Sequence, residues 1–271
     1  MKEVILAIET SCDDTSAAIA INGIIKSNII KSQGVHSNYG GVVPEISSRE
    51  HQKNIILVVE EALKSAKVKK IDLNAISFTI GPGLLGSLLV GCSFAKSLSF
   101  ALNLPLIGVD HMKAHVLSNF IDNPIPDFPF ICLTVSGGHT QLVLVKDFLN
   151  MKIIGETLDD AVGEAFDKSA KILGIEYPGG PIIDKLSKKG NPLKFKFSKP
   201  KVSDLNFSFS GIKTSILYFV KSQMEKDPEF IEKNLNDISA SIQFSLVEIL
   251  MEKLIKAANK YKISNIAIAG G

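Results

Sequence analysis

The sequence predicts an α/β protein in which one βββαβαβ pattern is written twice. Three observations predict it. Short apolar strands alternate with longer stretches at helical spacing, the same order restarts at Phe130, and two small-residue loops, Glu9 to Thr15 and Ser136 to Thr140, fall at matching places in the two copies. The 271 residues are 45% hydrophobic and 21% charged, enough apolar surface to fill two ordinary cores and too much for a disordered chain.

In the first copy, Val4 to Ile8, Ala17 to Ile21 and Ile24 to Ile29 read as strands, the last two joined by Asn22-Gly23, a strong hairpin signal. A helix follows, with Ser47 and Ser48 as caps and an apolar face of Ile55, Ile56, Val59, Ala62 and Leu63. Leu73 to Ala95 carries no charge and mimics a membrane span, but Gly81-Pro82-Gly83 breaks it into a buried strand, a turn and a buried helix reaching Leu102. Leu106 to Val109 is the next strand. The second copy has strands at Phe130 to Val135, Thr140 to Val145 and Lys152 to Gly155 and a helix from about Asp160. It then inserts a Gly-, Pro- and Lys-rich segment, Pro178 to Phe209, before helices at Ile212 to Lys221 and Ile238 to Lys260 and a strand at Asn265 to Ala269. By comparison with the first copy, the second is expected to stop about 50 to 60 residues early, as a carboxy-terminally truncated half.

Two such halves around a cleft make the duplicated actin-like ATPase architecture, also called ribonuclease-H-like or ASKHA. In that frame residues 1–110 form a first subdomain, 111–129 a histidine-bearing connector, and 130–271 a second, incomplete subdomain with the insertion 178–209. The two matching loops would aim backbone N–H groups and hydroxyls at phosphates.

His111 and His115 stand four residues apart, so a helix stacks their imidazoles on one face. That is half of a metal site, because a catalytic metal normally takes three protein ligands and keeps a position open. The same spacing also suits two histidines lining a helix near the surface. With 30 basic and 28 acidic residues, net charge gives no argument about nucleic acid. A local supply of cations, Lys185 to Lys201, interleaves lysines with Phe195 and Phe197 and would suit a phosphate backbone and a stacked base, or a solvated loop pinned to the core by its two aromatic rings. Cys12, Cys92 and Cys132 form no Cys-x-x-Cys pair, and the acidic amino terminus is not a signal peptide, so a reducing cytoplasm is expected, with no membrane.

Seven ordered motifs then carry a resemblance: Ile8-Glu-Thr-Ser-Cys-Asp13, Gly40-Gly-Val-Val-Pro-Glu45, Gly81-Pro-Gly83, His111-x-x-x-His115, Val135-Ser-Gly-Gly-His-Thr-Gln141, Gly163-Glu-Ala-Phe-Asp-Lys168 and Tyr177-Pro-Gly-Gly-Pro181. Together they resemble the bacterial TsaD family over Ile5 to Gly271. The resemblance implies a tRNA N6-adenosine threonylcarbamoyltransferase, which moves the threonylcarbamoyl group of threonylcarbamoyl-adenylate onto the adenosine just 3′ of the anticodon in t6A modification. It implies His111 and His115 as ligands of one divalent metal, iron or zinc, with a third ligand, an Asp, beyond Gly271. It implies Thr134, Val135, Ser136, Gly137, Gly138 and His139 as the substrate loop for an adenylate or ATP-type nucleotide, with Asp167, Gly180 and Asp184 as further contacts. TsaB- and TsaE-type partner proteins and a separate synthase for the adenylate are expected with it.

For the chemistry, Glu9, Asp13 and Asp167 are the carboxylates available to relay a proton, and motif position does not choose among them. Asp167 also suits a purely ligand-orienting role. Three other readings compete. A small-molecule kinase shares the fold but needs no paired histidines. A non-catalytic TsaB-like scaffold paralogue would lack them. A zincin peptidase would carry a Glu beside the first His, where this chain has Met112.

Overall fold

The computed structural model describes residues 2–271, which divide into two compact units, Met1–His115 and Val116–Gly271. The first holds a five-stranded sheet. Its strands are β1 (Val4–Glu9), β2 (Asp14–Ile21), β3 (Ile24–Ser32), β4 (Ala75–Gly81) and β5 (Leu106–Asp110), in the order β3-β2-β1-β4-β5. β1 to β3 run antiparallel, whereas β4 and β5 add to β1 in parallel. The β2–β3 turn puts both Asn22 and Gly23 at positive φ, the conformation that a two-residue hairpin demands. Val4, Leu6 and Ile8 alternate into the core, where they meet the Ile55, Val58, Val59, Ala62 and Leu63 face of helix α1 (Pro44–Ser65).

The second unit repeats the arrangement with β6 (Phe130–Val135), β7 (Thr140–Val145), β8 (Met151–Glu156) and β9 (Ile266–Gly270), ordered β8-β7-β6-β9. Here β6 takes the place of β1 and β9 that of β4, down to the antiparallel and parallel senses of pairing. The duplication read from the sequence is therefore present strand for strand in these four. What differs is the crossover. One helix, α1, connects β3 to β4, whereas α4 (Val162–Ile172), α5 (Gly179–Ser187), α6 (Ser210–Met224) and α7 (Phe230–Tyr261) lie between β8 and β9. β7 is buried along its whole length, with helices α4, α6 and α7 supplying a large core on one face and Val116, Phe130, Cys132, Val143, Val145 and Ala267 a smaller one on the other.

Several expectations need correction. α1 starts at Pro44, whose fixed φ suits a first helical position, so Ser47 and Ser48 lie inside the helix and cap nothing. The 178–209 segment is no plain loop, since α5 occupies its first part, and α7 begins eight residues before Ile238. The largest surprise is α2 (Leu85–Leu102), expected as a buried helix. Only Ser87, Gly91 and Ala95, one small residue per turn, are buried, while Leu85 is 74% and Phe100 90% exposed. Close approach explains the inversion. A side chain at Gly91 would collide with Thr10, so the small stripe packs on the β1–β2 turn, Leu98 and Leu102 lie partly against the core, and Leu85, Leu89 and Phe100 face out. α2 is long and apolar enough to cross a membrane by length and composition alone.

The Lys185 to Lys201 segment takes the second of its two expected forms. Phe197 is buried and Phe195 packs against Phe219 and Phe230, so neither ring is free to stack a base. Lys188, Lys194 and Lys199 are paired with Asp184, Asp237 and the Glu248/Glu252 pair.

Candidate functional site

In the first unit the carboxy end of β1 runs into the turn Thr10-Ser11-Cys12-Asp13, wedged between the first turns of α1 and α2. Gly83 permits this, because a Cβ there would fall 2.6 Å from the Ser11 carbonyl oxygen, which accepts a hydrogen bond from Leu84 N at 2.7 Å. The Cys12 carbonyl accepts from Ser47 Oγ, from His51 Nε2 at 2.9 Å and from Ser87 Oγ at 3.4 Å. Thr10 Oγ1 donates to the Ser87 carbonyl at 2.9 Å. The turn is thus nailed from inside by groups to which sequence reading gave no such role. One signal existed. Ser47 and His51 are polar residues four apart on the buried side of α1, an arrangement that demands partners.

Glu9 ends β1 and points its carboxylate at the start of helix α3 (His111–Leu117). Its Oε2 accepts from Thr79 Oγ1 at 2.6 Å and from His111 Nδ1 at 3.0 Å, while its Oε1 accepts from Ser11 N. Burial alone would raise this carboxyl, but the hydrogen bonds from His111, Ser11 and Thr79 prevail and hold it at about 2. Glu9 is therefore ionised throughout the physiological range. Its acceptor-only oxygen requires that His111 carry its proton on Nδ1, which leaves a lone pair on His111 Nε2 to accept.

That lone pair faces its neighbour. His111 Nε2 and His115 Nε2 lie 3.1 Å apart, with the rings edge to face at 80°. Two imidazole nitrogens this close can share one cation at roughly 2.0–2.1 Å each, and the carboxylate behind His111 is the usual outer partner of a metal-bound imidazole. The donor set fits a borderline metal such as zinc or iron. Among the described residues no group of three or more His, Cys, Asp or Glu side chains that could hold a metal ion is gathered. Asp13, the third residue of the turn after Thr10, accepts through its carbonyl from Gln33 N at 3.1 Å.

In the second unit the matching turn, Ser136-Gly137-Gly138-His139, is closed by two bonds between its own ends. Ser136 N donates to the His139 carbonyl at 2.9 Å and His139 N to Ser136 Oγ at 3.0 Å. Nothing lies within 4 Å of where a Cβ on Gly137 or Gly138 would be, and their amides donate to no acceptor among the described residues. α4 backs the turn. A Cβ on Gly163 would meet the Ser136 carbonyl at 2.7 Å, and Thr140 Oγ1 accepts from Val162 N at 2.9 Å. One turn further along α4, Asp167 Oδ1 accepts from Gly179 N at 2.8 Å and Gly180 N at 3.4 Å, capping α5. The structure thus brings Ser136, Gly137, Asp167 and Gly180 onto one continuous run of turn, helix and helix start. Thr134 is buried, with its hydroxyl beside the Cys132 sulfur, and Val135 closes β6. Asp184 sits a turn down α5, paired with Lys188 and 3.4 Å from Gln243 Nε2.

Comparison with known proteins identifies the family. The family model for TsaD, tRNA N6-adenosine threonylcarbamoyltransferase, matches residues 23–271. A protein of that description from Christiangramia forsetii is 61% identical over 98% of this chain and 79% of its own length. Another from Phocaeicola vulgatus is 56% identical over 100% of this chain and 81% of its own. Among solved structures, component A of the Acidaminococcus fermentans (R)-2-hydroxyglutaryl-CoA dehydratase superposes with a TM-score of 0.55 at 15% identity, covering 100% of this chain and 83% of that one. The activator of the Clostridium difficile 2-hydroxyisocaproyl-CoA dehydratase gives 0.54 at 16%, over 100% and 80%. These two establish the actin-like fold and nothing about chemistry.

Proposed function

The chain belongs to the TsaD family of tRNA N6-adenosine threonylcarbamoyltransferases, acyltransferases that modify tRNA, and from that premise we propose how its residues divide the work. The donor is threonylcarbamoyl-adenylate, the acceptor is the exocyclic amine of the adenosine 3′ of the anticodon in tRNAs reading codons that start with A, and AMP leaves. The observation that carries the reading is the pair of facing Nε2 atoms backed by an ionised Glu9.

His111 and His115 hold a divalent metal, iron in our reading and zinc as the second choice. When bound, it polarises the acyl oxygen of the mixed anhydride. Glu9 keeps His111 in the Nδ1–H tautomer and does not itself take a proton, because a carboxylate held near 2 is too weak a base at neutral pH. Asp167 is committed through Oδ1 to the start of α5 and orients Gly179 and Gly180. Of the three carboxylates considered, Asp13 is left as the proton acceptor. The unpaired amides of Gly137 and Gly138 receive the adenylate phosphate, with Thr134, Val135, Ser136 and His139 framing that turn, and Gly180 and Asp184 hold the rest of the nucleotide. An exocyclic amine is a poor nucleophile, so placing it against the acyl carbon while keeping water out supplies much of the acceleration.

The exposed faces of α1, with Ile56 and Leu57, and of α2, with Leu85, Leu89 and Phe100, are the docking surface we assign to a TsaB-type partner. A TsaE-type protein and a separate adenylate synthase complete the system, in the cytoplasm. The test is transfer of labelled threonylcarbamoyl from the adenylate to tRNA, with the partner proteins present. The reading predicts loss of transfer in His111→Ala and His115→Ala. Retention of transfer would overturn the metal reading, and phosphorylation of a small substrate that ignores both histidines would favour a kinase.

A further inference from the structure

α1 carries a fully buried histidine that none of the roles above uses. His51 lies inside the first unit, with Nδ1 2.7 Å from Thr15 Oγ1 on β2 and Nε2 2.9 Å from the Cys12 carbonyl oxygen. A carbonyl only accepts, so Nε2 carries the hydrogen and Nδ1 accepts from the Thr15 hydroxyl. Burial pushes this imidazole below its ordinary value, against the pull of the Cys12 carbonyl and the nearby carboxylates, which agrees with a neutral ring locked in one tautomer. Thr15 is itself buried, so water does not compete for either bond.

The bond matters for where it lands. Cys12 follows Ser11, whose amide holds Glu9 Oε1 and whose hydroxyl lies 3.3 Å from His111 Nδ1. Displacing the Cys12 carbonyl rotates the Ser11–Cys12 peptide and with it the amide that fixes the Glu9 carboxylate. The chain of contacts runs from Thr15 through His51, Cys12, Ser11 and Glu9 to His111, each link a hydrogen bond or one peptide. We propose that His51 is a positioning residue for acyl transfer, a neutral crossbar between β2 and the Ser11–Cys12 turn that sets Glu9 and, through it, His111. It touches neither substrate nor metal. The proposal rests on the reading of His111 and His115 given above, so its test needs one readout independent of that reading.

Cys12 provides it. Cys12 is exposed as a residue, yet local desolvation and the neighbouring Asp13, Asp14 and Glu9 carboxylates hold its thiol up at about 12, so it is alkylated slowly while the turn keeps those carboxylates beside it. The experiment compares wild type with His51→Ala, His51→Gln and Thr15→Val in the full chain. Gln retains an N–H for the Cys12 carbonyl, and Val removes only the hydroxyl that locks the ring. Measured are iodoacetamide labelling of Cys12 by mass spectrometry with Cys132 as the buried control, cobalt(II) affinity from its visible spectrum, and kcat and KM for transfer. Expected in His51→Ala is faster Cys12 labelling, with cobalt affinity and kcat each lower by about 10- to 100-fold at unchanged KM for tRNA. His51→Gln should restore most of both, and Thr15→Val should fall between.

Should His51→Ala not fold, as judged by circular dichroism, the other two variants decide. Native cobalt affinity and kcat in Thr15→Val together with a full defect of about 10- to 100-fold in His51→Gln would overturn the proposal. So would faster Cys12 labelling with native kcat, since the crossbar would then exist without positioning anything. If instead wild-type transfer proves indifferent to His111→Ala, the metal reading fails, while the labelling result still reports on the crossbar.

Discussion

The two β-turns at equivalent places in the duplicated sheets have become opposites. In the first unit the Thr10 to Asp13 turn is held from within by α1, α2 and β4, and its product is a fixed set of side chains, Glu9 aimed at His111 and His111 at His115. In the second unit the Ser136 to His139 turn closes on itself, and its product is bare backbone with two glycine amides unspent. One topology thus yields a fixed set of side chains at one turn and exposed backbone amides at the other. The difference comes from what packs behind each turn, seryl and histidyl groups in one case and the glycine start of a helix in the other.

The sharpest break of this comparison is His111→Ala, which removes one of two facing nitrogens. Metal affinity and transfer should each fall by more than about 100-fold, beyond the usual cost of an outer-shell change, as read by metal analysis and single-turnover assay. Glu9→Gln comes next. It keeps the shape but loses the charge that holds the His111 tautomer, and metal affinity should drop by about 10- to 100-fold. It also predicts a pH effect. Glu9 sits at about 2 when folded against 4.5 for the unperturbed group, so its stabilising contribution is fully present above 4.5 and disappears as pH falls towards 2. Chemical denaturation should show wild type and Glu9→Gln converging across that window.

Gly137→Val should act only on the second turn. Its φ is not left-handed and its Cβ has open space, so stability should change by less than about 0.5 kcal/mol while adenylate binding weakens through the side chain placed over the amides. Asp167→Ala touches neither turn directly; it removes the cap of α5 and should cost about 0.5–2 kcal/mol, measured by urea denaturation.

Much of the fold was legible because strand alternation and the Asn22-Gly23 and Ser136-Gly-Gly-His139 turns are local signals. What the sequence hid was set by tertiary contact. The apolar run Leu85 to Leu102 reads as core, yet its orientation is decided by Gly91 lying on Thr10, a long-range contact that hydrophobicity does not encode. Ser47 looked like a cap because serine usually is one, whereas Pro44 had already started the helix. In the candidate site, the facing of His111 and His115 followed from their spacing alone. Thr79, Ser11 and His51 did not, because they are ordinary residue types whose importance lies in which carboxylate or carbonyl they reach.

The central claim is that the first turn serves the metal and the second the phosphate. Calorimetric titration of zinc, and separately of AMP, into His111→Ala and Gly137→Val tests it most directly. The account predicts a crossed result, with His111→Ala losing zinc while keeping its AMP affinity and Gly137→Val doing the reverse. Loss of both ligands in either variant, or retention of zinc by His111→Ala, would contradict it.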